Sequence, residues 1–72
     1  MVRRFMDESG ERFWEIEDIQ PDDATVLWRT TKQGQGDAEE ERQEASTWLE
    51  GVKLYNSRVA EKLTAGWSEV LP

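Results

Sequence analysis

The sequence contains neither cysteine nor histidine. The chain therefore cannot form a disulfide, use a thiolate nucleophile or an imidazole base, or build a zinc site from Cys and His ligands. No apolar run approaches the roughly 20 residues that span a bilayer. The basic pair Arg3-Arg4 is followed by Asp7 and Glu8 rather than by the apolar stretch that a signal peptide requires. We therefore expect a cytoplasmic protein that does not enter a membrane.

Positive charge is scarce in this chain of 72 residues. Nine Lys and Arg stand against 16 Asp and Glu, which gives a net charge of −7. Such a chain repels polyanions as a whole, so any contact with nucleic acid must depend on a local patch of cations. The length predicts one domain, residues 1–72, that buries only roughly 60% of its unfolded surface. Four Trp, two Phe and one Tyr supply large rings for that small core.

Acidic residues are missing from one segment, Ala24–Gly36, in which Arg29 and Lys32 are the only charges. Its first half, Thr25–Thr31, is rich in β-branched and aromatic residues and is predicted to be a strand. In that strand Val26 and Trp28 share one face, because side chains alternate along a strand. Its second half, Gln33–Gly36, reads as a loop.

Two further strands precede this segment. Val2–Met6 and Arg12–Ile19 alternate in the manner of strands, and the turn between them contains Gly10, which tolerates a positive φ. The pattern predicts a β-hairpin. The connection Gln20–Asp23 contains a proline, which cannot donate a ladder hydrogen bond and marks a break.

The strongest periodic signal lies near the carboxyl end. Thr47 followed by Glu50 matches a capping box, and a helix is predicted from there to about Thr64, with Gly66 as the residue that ends it. The short stretch Trp67–Leu71 is extended and is a candidate last strand. The apolar stripe of the helix comprises Trp48, Val52, Tyr55, Val59 and Leu63.

The acidic segment Asp37–Glu44 is ambiguous. Its residues favour a helix or a loop, and Asp37 with Glu40 resembles a capping pair. As a strand it would be polar on both faces, and therefore an edge. Taken together, the segments predict an α+β fold, an antiparallel meander with one amphipathic helix, about 47–64, packed across a face.

Several separated motifs, in this order, resemble those of a WGR domain. They are Arg3-Arg4-Phe5, Arg12-Phe13-Trp14-Glu15-Ile16, Thr25-Val26-Leu27-Trp28, Gly34-Gln35, Ala60-Glu61-Lys62-Leu63 and Gly66-Trp67. The resemblance covers nearly the whole chain and implies an antiparallel sheet with one helix, in which Asp37–Glu44 would be a strand. WGR domains occur in poly(ADP-ribose) polymerases, where they contact a DNA end and neighbouring domains, and as small bacterial proteins.

The chain departs from the family at the motif itself. Trp28 matches the motif tryptophan, but without a gap the motif glycine falls on Arg29 and the motif arginine on Thr30. The segment that follows the loop is basic in relatives, whereas here it is acidic.

The resemblance implies a nucleic-acid interface, with DNA as the partner. The candidate residues are Trp28, Arg29, Lys32, Arg3, Arg4 and Arg12. The alternative interpretation is that Trp28 is a core ring, that the cations pair with nearby carboxylates, and that Trp14 and Trp67 pack under the helix. On that interpretation the chain is a protein-interaction module that uses its acidic surface and exposed aromatic rings.

Nothing in the sequence indicates catalysis. It has no nucleophile with a base at a recognisable spacing, and Gly34 with Gly36 forms no nucleotide-binding fingerprint. The acidic run lacks the alternating ligands and central glycine of a calcium loop. We therefore expect no enzyme activity, no cofactor, no metal and no small-molecule substrate, and a partner that is either DNA or another protein.

Overall fold

The computed structural model describes residues 2–20, 22–32, 34 and 38–71, which form a five-stranded antiparallel sheet and one helix. The elements are β1 (Arg3–Met6), β2 (Arg12–Ile16), β3 (Thr25–Lys32), β4 (Ala38–Glu44), α1 (Trp48–Thr64) and β5 (Ser68–Val70). This architecture confirms the predicted α+β fold. The helix is not long and apolar enough to cross a bilayer, and the described part of the chain has no other candidate.

The strands lie in the order β4-β3-β2-β1-β5. The first three form the predicted meander and β4 extends it, so that each of β2, β3 and β4 pairs antiparallel with its predecessor in the chain. The helix then carries the chain back to the other edge, where β5 pairs with β1. The strand predicted within Trp67–Leu71 is therefore present as β5. Strand β2 ends at Ile16 and not at Ile19, and β3 continues one residue beyond the predicted end, to Lys32.

The preference for helix or loop in Asp37–Glu44 is wrong. Ala38–Glu44 is strand β4, paired with β3 from Thr31↔Ala38 to Thr25↔Glu44. All seven of its residues are exposed, so it is the polar edge that the alternative described. Hydrogen bonding to β3 overrides the helix propensity of the segment, because propensity is a weak preference. Asp37, half of the expected capping pair, lies outside the described residues.

The core lies on one side of the sheet, under the helix. Its buried residues are Phe5, Trp14, Ile16, Val26, Trp28 and Val59. All but Val59 come from the alternate positions of β1, β2 and β3 that face the same way. We call the side that carries them the helix face and the opposite side the open face.

The ends of the helix follow the prediction. Thr47 accepts a hydrogen bond from the backbone N–H of Glu50 at 3.1 Å, and Gly66 adopts a φ of +95° just after the last turn. The predicted apolar stripe is only partly buried. Val59 reaches the core, whereas Trp48 and Leu63 at the two ends are 50% and 52% exposed. The sheet is too narrow to cover both ends of this helix.

Candidate nucleic-acid interface

The predicted interface residues do not all lie on one side of the molecule. Strand alternation and register place Arg4 and Arg29 on the open face, at the positions that flank Glu15 on β2. The remaining residues occupy helix-face positions, namely Arg3 on β1, Arg12 on β2, and Trp28 and Lys32 on β3. Arg12 is directly opposite Lys32, while Arg3 lies at the other end of its strand pair. The structure therefore brings together only part of the predicted set.

Three of the predicted cations, Arg3, Arg12 and Arg29, are held by carboxylates. Arg3 donates two hydrogen bonds to Glu69, at 2.9 and 2.7 Å. This contact raises the pKa of Arg3 and lowers the pKa of Glu69. On the open face, Arg29 pairs with Glu17 at 2.9 Å. Both arrangements match the alternative in which the cations neutralise neighbouring acids.

Arg12 is held by the turn that precedes β2. Its guanidinium donates to Asp7 at 3.1 Å, and Asp7 also accepts from Ser9 and from the backbone N–H groups of Glu11 and Arg12. Desolvation raises the pKa of Asp7, but these hydrogen bonds together outweigh it and lower the pKa from 3.8 to about 2. The side chain of Arg12 nevertheless remains 58% exposed, so the turn positions this residue without covering it.

Trp28 is a core ring, as the alternative interpretation describes. It is 9% exposed, and its Nε1 donates to Glu41 at 3.0 Å. The guanidinium carbon of Arg58 lies 5.3 Å from the ring centroid. A nucleic-acid base could stack on this indole only after Arg58 had moved.

Three cations on the helix side lie over three indole rings. Lys62 Nζ is 4.6 Å from the ring centroid of Trp67 and 5.4 Å from that of Trp14. The guanidinium carbon of Arg12 is 5.6 Å from the Trp67 ring, on which it meets Lys62. We call these residues the cation–indole cluster, which comprises Arg12, Arg58, Lys62, Trp14, Trp28 and Trp67.

Lys62 is the least neutralised cation of the cluster. Burial lowers its pKa and the positive charge of Arg12 lowers it further, while the carboxylates of Glu61 and Glu41 offset part of this effect. None of the ion pairs among the described residues includes Lys62. The two indoles offer it only the negative faces of their rings, which compensate a cation in part. An anion placed here would meet a cation that forms no direct ion pair among the described residues.

Sequence reasoning did not single out Arg58 and Lys62 as site residues. They are four residues apart on α1, so they project from the same side of the helix. Both precede a residue of the apolar stripe, since Val59 and Leu63 follow them directly. This position beside the apolar stripe could have identified Arg58 and Lys62 from the sequence. Cations next to the buried stripe of a helix lie where the helix meets the sheet.

A groove of about 300 Å³ runs beside the cluster, between the helix and strands β3 and β4. Its lining residues are Trp14, Trp28, Thr30, Glu41, Arg58, Glu61 and Lys62. The Nη1 of Arg58 donates to both carboxylate oxygens of Glu61, at 3.1 and 3.0 Å, and Nη2 donates to Gln43 at 3.3 Å. Its Nε is buried without a hydrogen-bond partner among the described residues. The groove therefore retains an unused donor.

The groove is lined by side chains of both charges, with Arg58 and Lys62 beside Glu41 and Glu61. Within the described ranges, no group of three or more acidic residues is placed to hold a metal ion. Comparisons with protein-family models, with curated proteins and with solved structures found no match to this chain. The site must therefore be interpreted from its own geometry.

Proposed function

We propose that this chain is a non-catalytic, WGR-like binding module that holds nucleic acid at the cation–indole cluster. The observation that carries the proposal is the state of Lys62, a partly buried ammonium beside Arg12 and without a carboxylate partner among the described residues. Although the chain has a net charge of −7, Lys62 forms no ion pair among the described residues, and Glu61 and Glu41 act on it only as neighbouring charges. A backbone phosphate would supply a direct partner and accept hydrogen bonds from both cations.

The residues that suggest the family also build the cluster. The "RFWEI" motif supplies Arg12 and Trp14, the central motif supplies Trp28, and the closing motifs supply Lys62 and Trp67. Five of the six cluster residues thus lie in segments that resemble a WGR domain. Motifs from three separate parts of the sequence meet at one place, which supports a shared binding role.

The proposal moves the interface away from part of the predicted set. Arg4 and Arg29 lie on the open face and Arg3 is bound to Glu69. We therefore assign Arg12, with Lys32 opposite it, to the interface, and we add Lys62. Trp28 supports the site from below through its contact with Arg58.

The proposal is tested by fluorescence anisotropy with a labelled DNA duplex that carries a 5′ phosphate, titrated at low salt. Lys62→Gln removes the unpaired charge and is expected to weaken binding about tenfold, since a charge-assisted contact contributes about 1.5–3 kcal/mol at most. Added salt should weaken the parent steeply, because binding to phosphates releases counterions.

Lys53→Gln is the matched control. It removes the same charge from an exposed position on the same helix, and we expect it to change the affinity less than twofold. Equal losses for the two variants would mean that only net charge matters, and would refute the site. Absence of binding to duplex and to single strands at low salt would refute the function.

A protein-interaction module is the second candidate, and strand β4 favours it. This exposed edge carries four glutamates and one arginine, and Trp48, close to it in the chain, is 50% exposed. A basic protein partner would fit that charge. This candidate predicts no DNA binding, together with binding of a lysine-rich peptide that Glu39→Gln combined with Glu40→Gln weakens.

A further inference from the structure

The open face carries a row of charges that alternates in sign across four strands. The pairing register places Arg4 beside Glu15, Glu15 beside Arg29, and Arg29 beside Glu40. We call these four residues the charge row. Adjacent positions lie about 5 Å apart, within reach of long side chains. The helix covers the other side of the sheet, so the row faces away from the protein core.

The two ends of the row are unpaired within the described residues, whose ion pairs include neither Arg4 nor Glu40. The guanidinium carbon of Arg4 lies 4.0 Å from the ring centroid of Phe13, over its face. Its N–H groups at the edge of that stack remain available to an acceptor. Glu40 lies on the exposed edge strand β4. Arg4 and Glu40 therefore carry opposite charges at the two ends of the row, and each could pair with the other residue in a second copy.

We propose that the open face is the contact surface for a second copy of this chain, packed face to face about a two-fold axis parallel to the strands. Such an axis, placed between β2 and β3, reverses the order of the strands in the second copy. Arg4 of one copy then faces Glu40 of the other, and Glu15 faces Arg29, whose guanidinium also pairs with Glu17 of its own chain. By symmetry each contact occurs twice.

The order of the charges selects this axis over its alternative. An axis along the row would place each residue against itself, so that Arg4 would face Arg4 and Glu40 would face Glu40. Like charges in direct opposition are repulsive. Only the reversing axis pairs all members of an alternating row of four with opposite charges, and it also keeps the strands of the two sheets aligned, as sandwiches require.

The next row of residues on the open face is compatible with the same two-fold axis, because the sizes of its side chains are complementary. The register continues from Met6 to Phe13, then to Thr31 and Ala38. Reversal places the long Met6 side chain against the short Ala38, and the Phe13 ring against Thr31. Large residues thus meet small ones, which lets two faces interdigitate.

The contact is small, and the dimer is therefore weak. The four strands span roughly 15 Å, and β1 is only four residues long. This face is smaller than the ~800 Å² that each partner contributes to a stable complex. On the far side of the charge row, Glu17 would face Leu27, which adds nothing favourable. Association is expected only at high protein concentration, and it leaves the cation–indole cluster on the outside.

The experiment is sedimentation equilibrium of the full chain over a series that reaches millimolar concentration. The parent should self-associate, and Arg4→Glu and Glu40→Arg should each weaken association about tenfold or more, because each reversal makes two contacts repulsive. Mixing the two variants should restore association to about the parent level. In the mixed dimer the two substituted side chains face each other with opposite charges, and the unchanged Arg4 and Glu40 also meet.

The controls apply the same charge changes elsewhere. Lys53→Glu on the helix and Glu39→Arg at a helix-face position of β4 should each leave self-association unchanged, and mixing them should add nothing. Circular dichroism of each variant confirms that the fold is retained. A parent that stays monomeric at millimolar concentration overturns the proposal. So does a dimer that the reversals do not weaken, or one that mixing does not restore.

Discussion

Gly51→Ala tests how closely the helix approaches the rest of the protein. Gly51 is buried in α1, and an added Cβ would lie 3.3 Å from the carbonyl oxygen of Ala24 and 3.6 Å from Cγ2 of Ile19. The carbonyl of Ala24 is not free to move away, because it accepts a hydrogen bond from the backbone N–H of Ala45 at 3.1 Å. That bond joins the chain before β3 to the chain after β4. The methyl group therefore meets a fixed backbone atom.

Two effects of opposite sign decide the outcome. Alanine in a helix is more favourable than glycine by about 1 kcal/mol. A new methyl group in a filled site costs about 1–3 kcal/mol, because neighbouring atoms must shift. The fixed carbonyl places this site in the middle of that range. We therefore expect Gly51→Ala to lower the free energy of unfolding by about 1 kcal/mol, despite the better helix former.

Urea unfolding followed by tryptophan fluorescence measures the change. Ala60→Gly, at an exposed position of the same helix, calibrates the propensity effect and should cost about 1 kcal/mol. If Gly51→Ala instead stabilised the protein by about the amount that Ala60→Gly costs, the helix would have room at this point. The close approach to Ala24 would then be wrong.

Two further substitutions test local conformation and pH dependence. Gly66→Ala forces a side chain into the left-handed region, at a φ of +95°, and should cost about 1 kcal/mol by urea unfolding, while Gly66→Asn should cost less. The pKa of Asp7 falls from 3.8 to about 2 on folding, so its stabilising effect is fully present above pH 3.8 and is lost as the pH falls towards 2. Asp7→Asn should therefore unfold more easily than the parent at neutral pH and lose part of the acid dependence. The exposed Asp22→Asn should retain that dependence, and an equal change in both variants would refute the role of the turn.

Local sequence signals predicted most of the fold. Alternation within Arg12–Ile19 and Thr25–Thr31 correctly predicted two strands and placed Val26 and Trp28 on one face of β3, and the capping box correctly placed the start of the helix at Thr47. These features depend on residues that are close together in the chain, so they can be predicted from local sequence patterns.

Strand β4 could not be predicted from its own residues, because its structure is imposed by β3. Its composition lacks an apolar face, and its helix propensity is high. What holds it is a partner strand with an open edge, seven residues of register, and the contact of Trp28 with Glu41. All of these partners lie outside the β4 segment and are separated from it by at least one loop. Only the family resemblance expected a strand here.

The interface was hard to predict for the same reason. Arg3 and Arg4 are adjacent in sequence and yet point to opposite faces of the sheet. Arg12 and Lys32 are far apart in the chain and lie directly opposite each other. A patch counted along the sequence therefore mixes the two faces, and only the register separates them.

Lys62 is the residue on which the proposed binding role depends most. Its ammonium loses solvation by burial and is repelled by Arg12, and the nearby carboxylates of Glu61 and Glu41 offset part of that cost. The faces of Trp14 and Trp67 return about 0.5–2 kcal/mol as cation–π attraction. An apolar side chain such as methionine would pack on the same rings without the desolvation cost. Sites at which stability is forgone in this way are commonly those that serve function. Under the proposed function, a bound anion would offset the remaining cost of burying this ammonium.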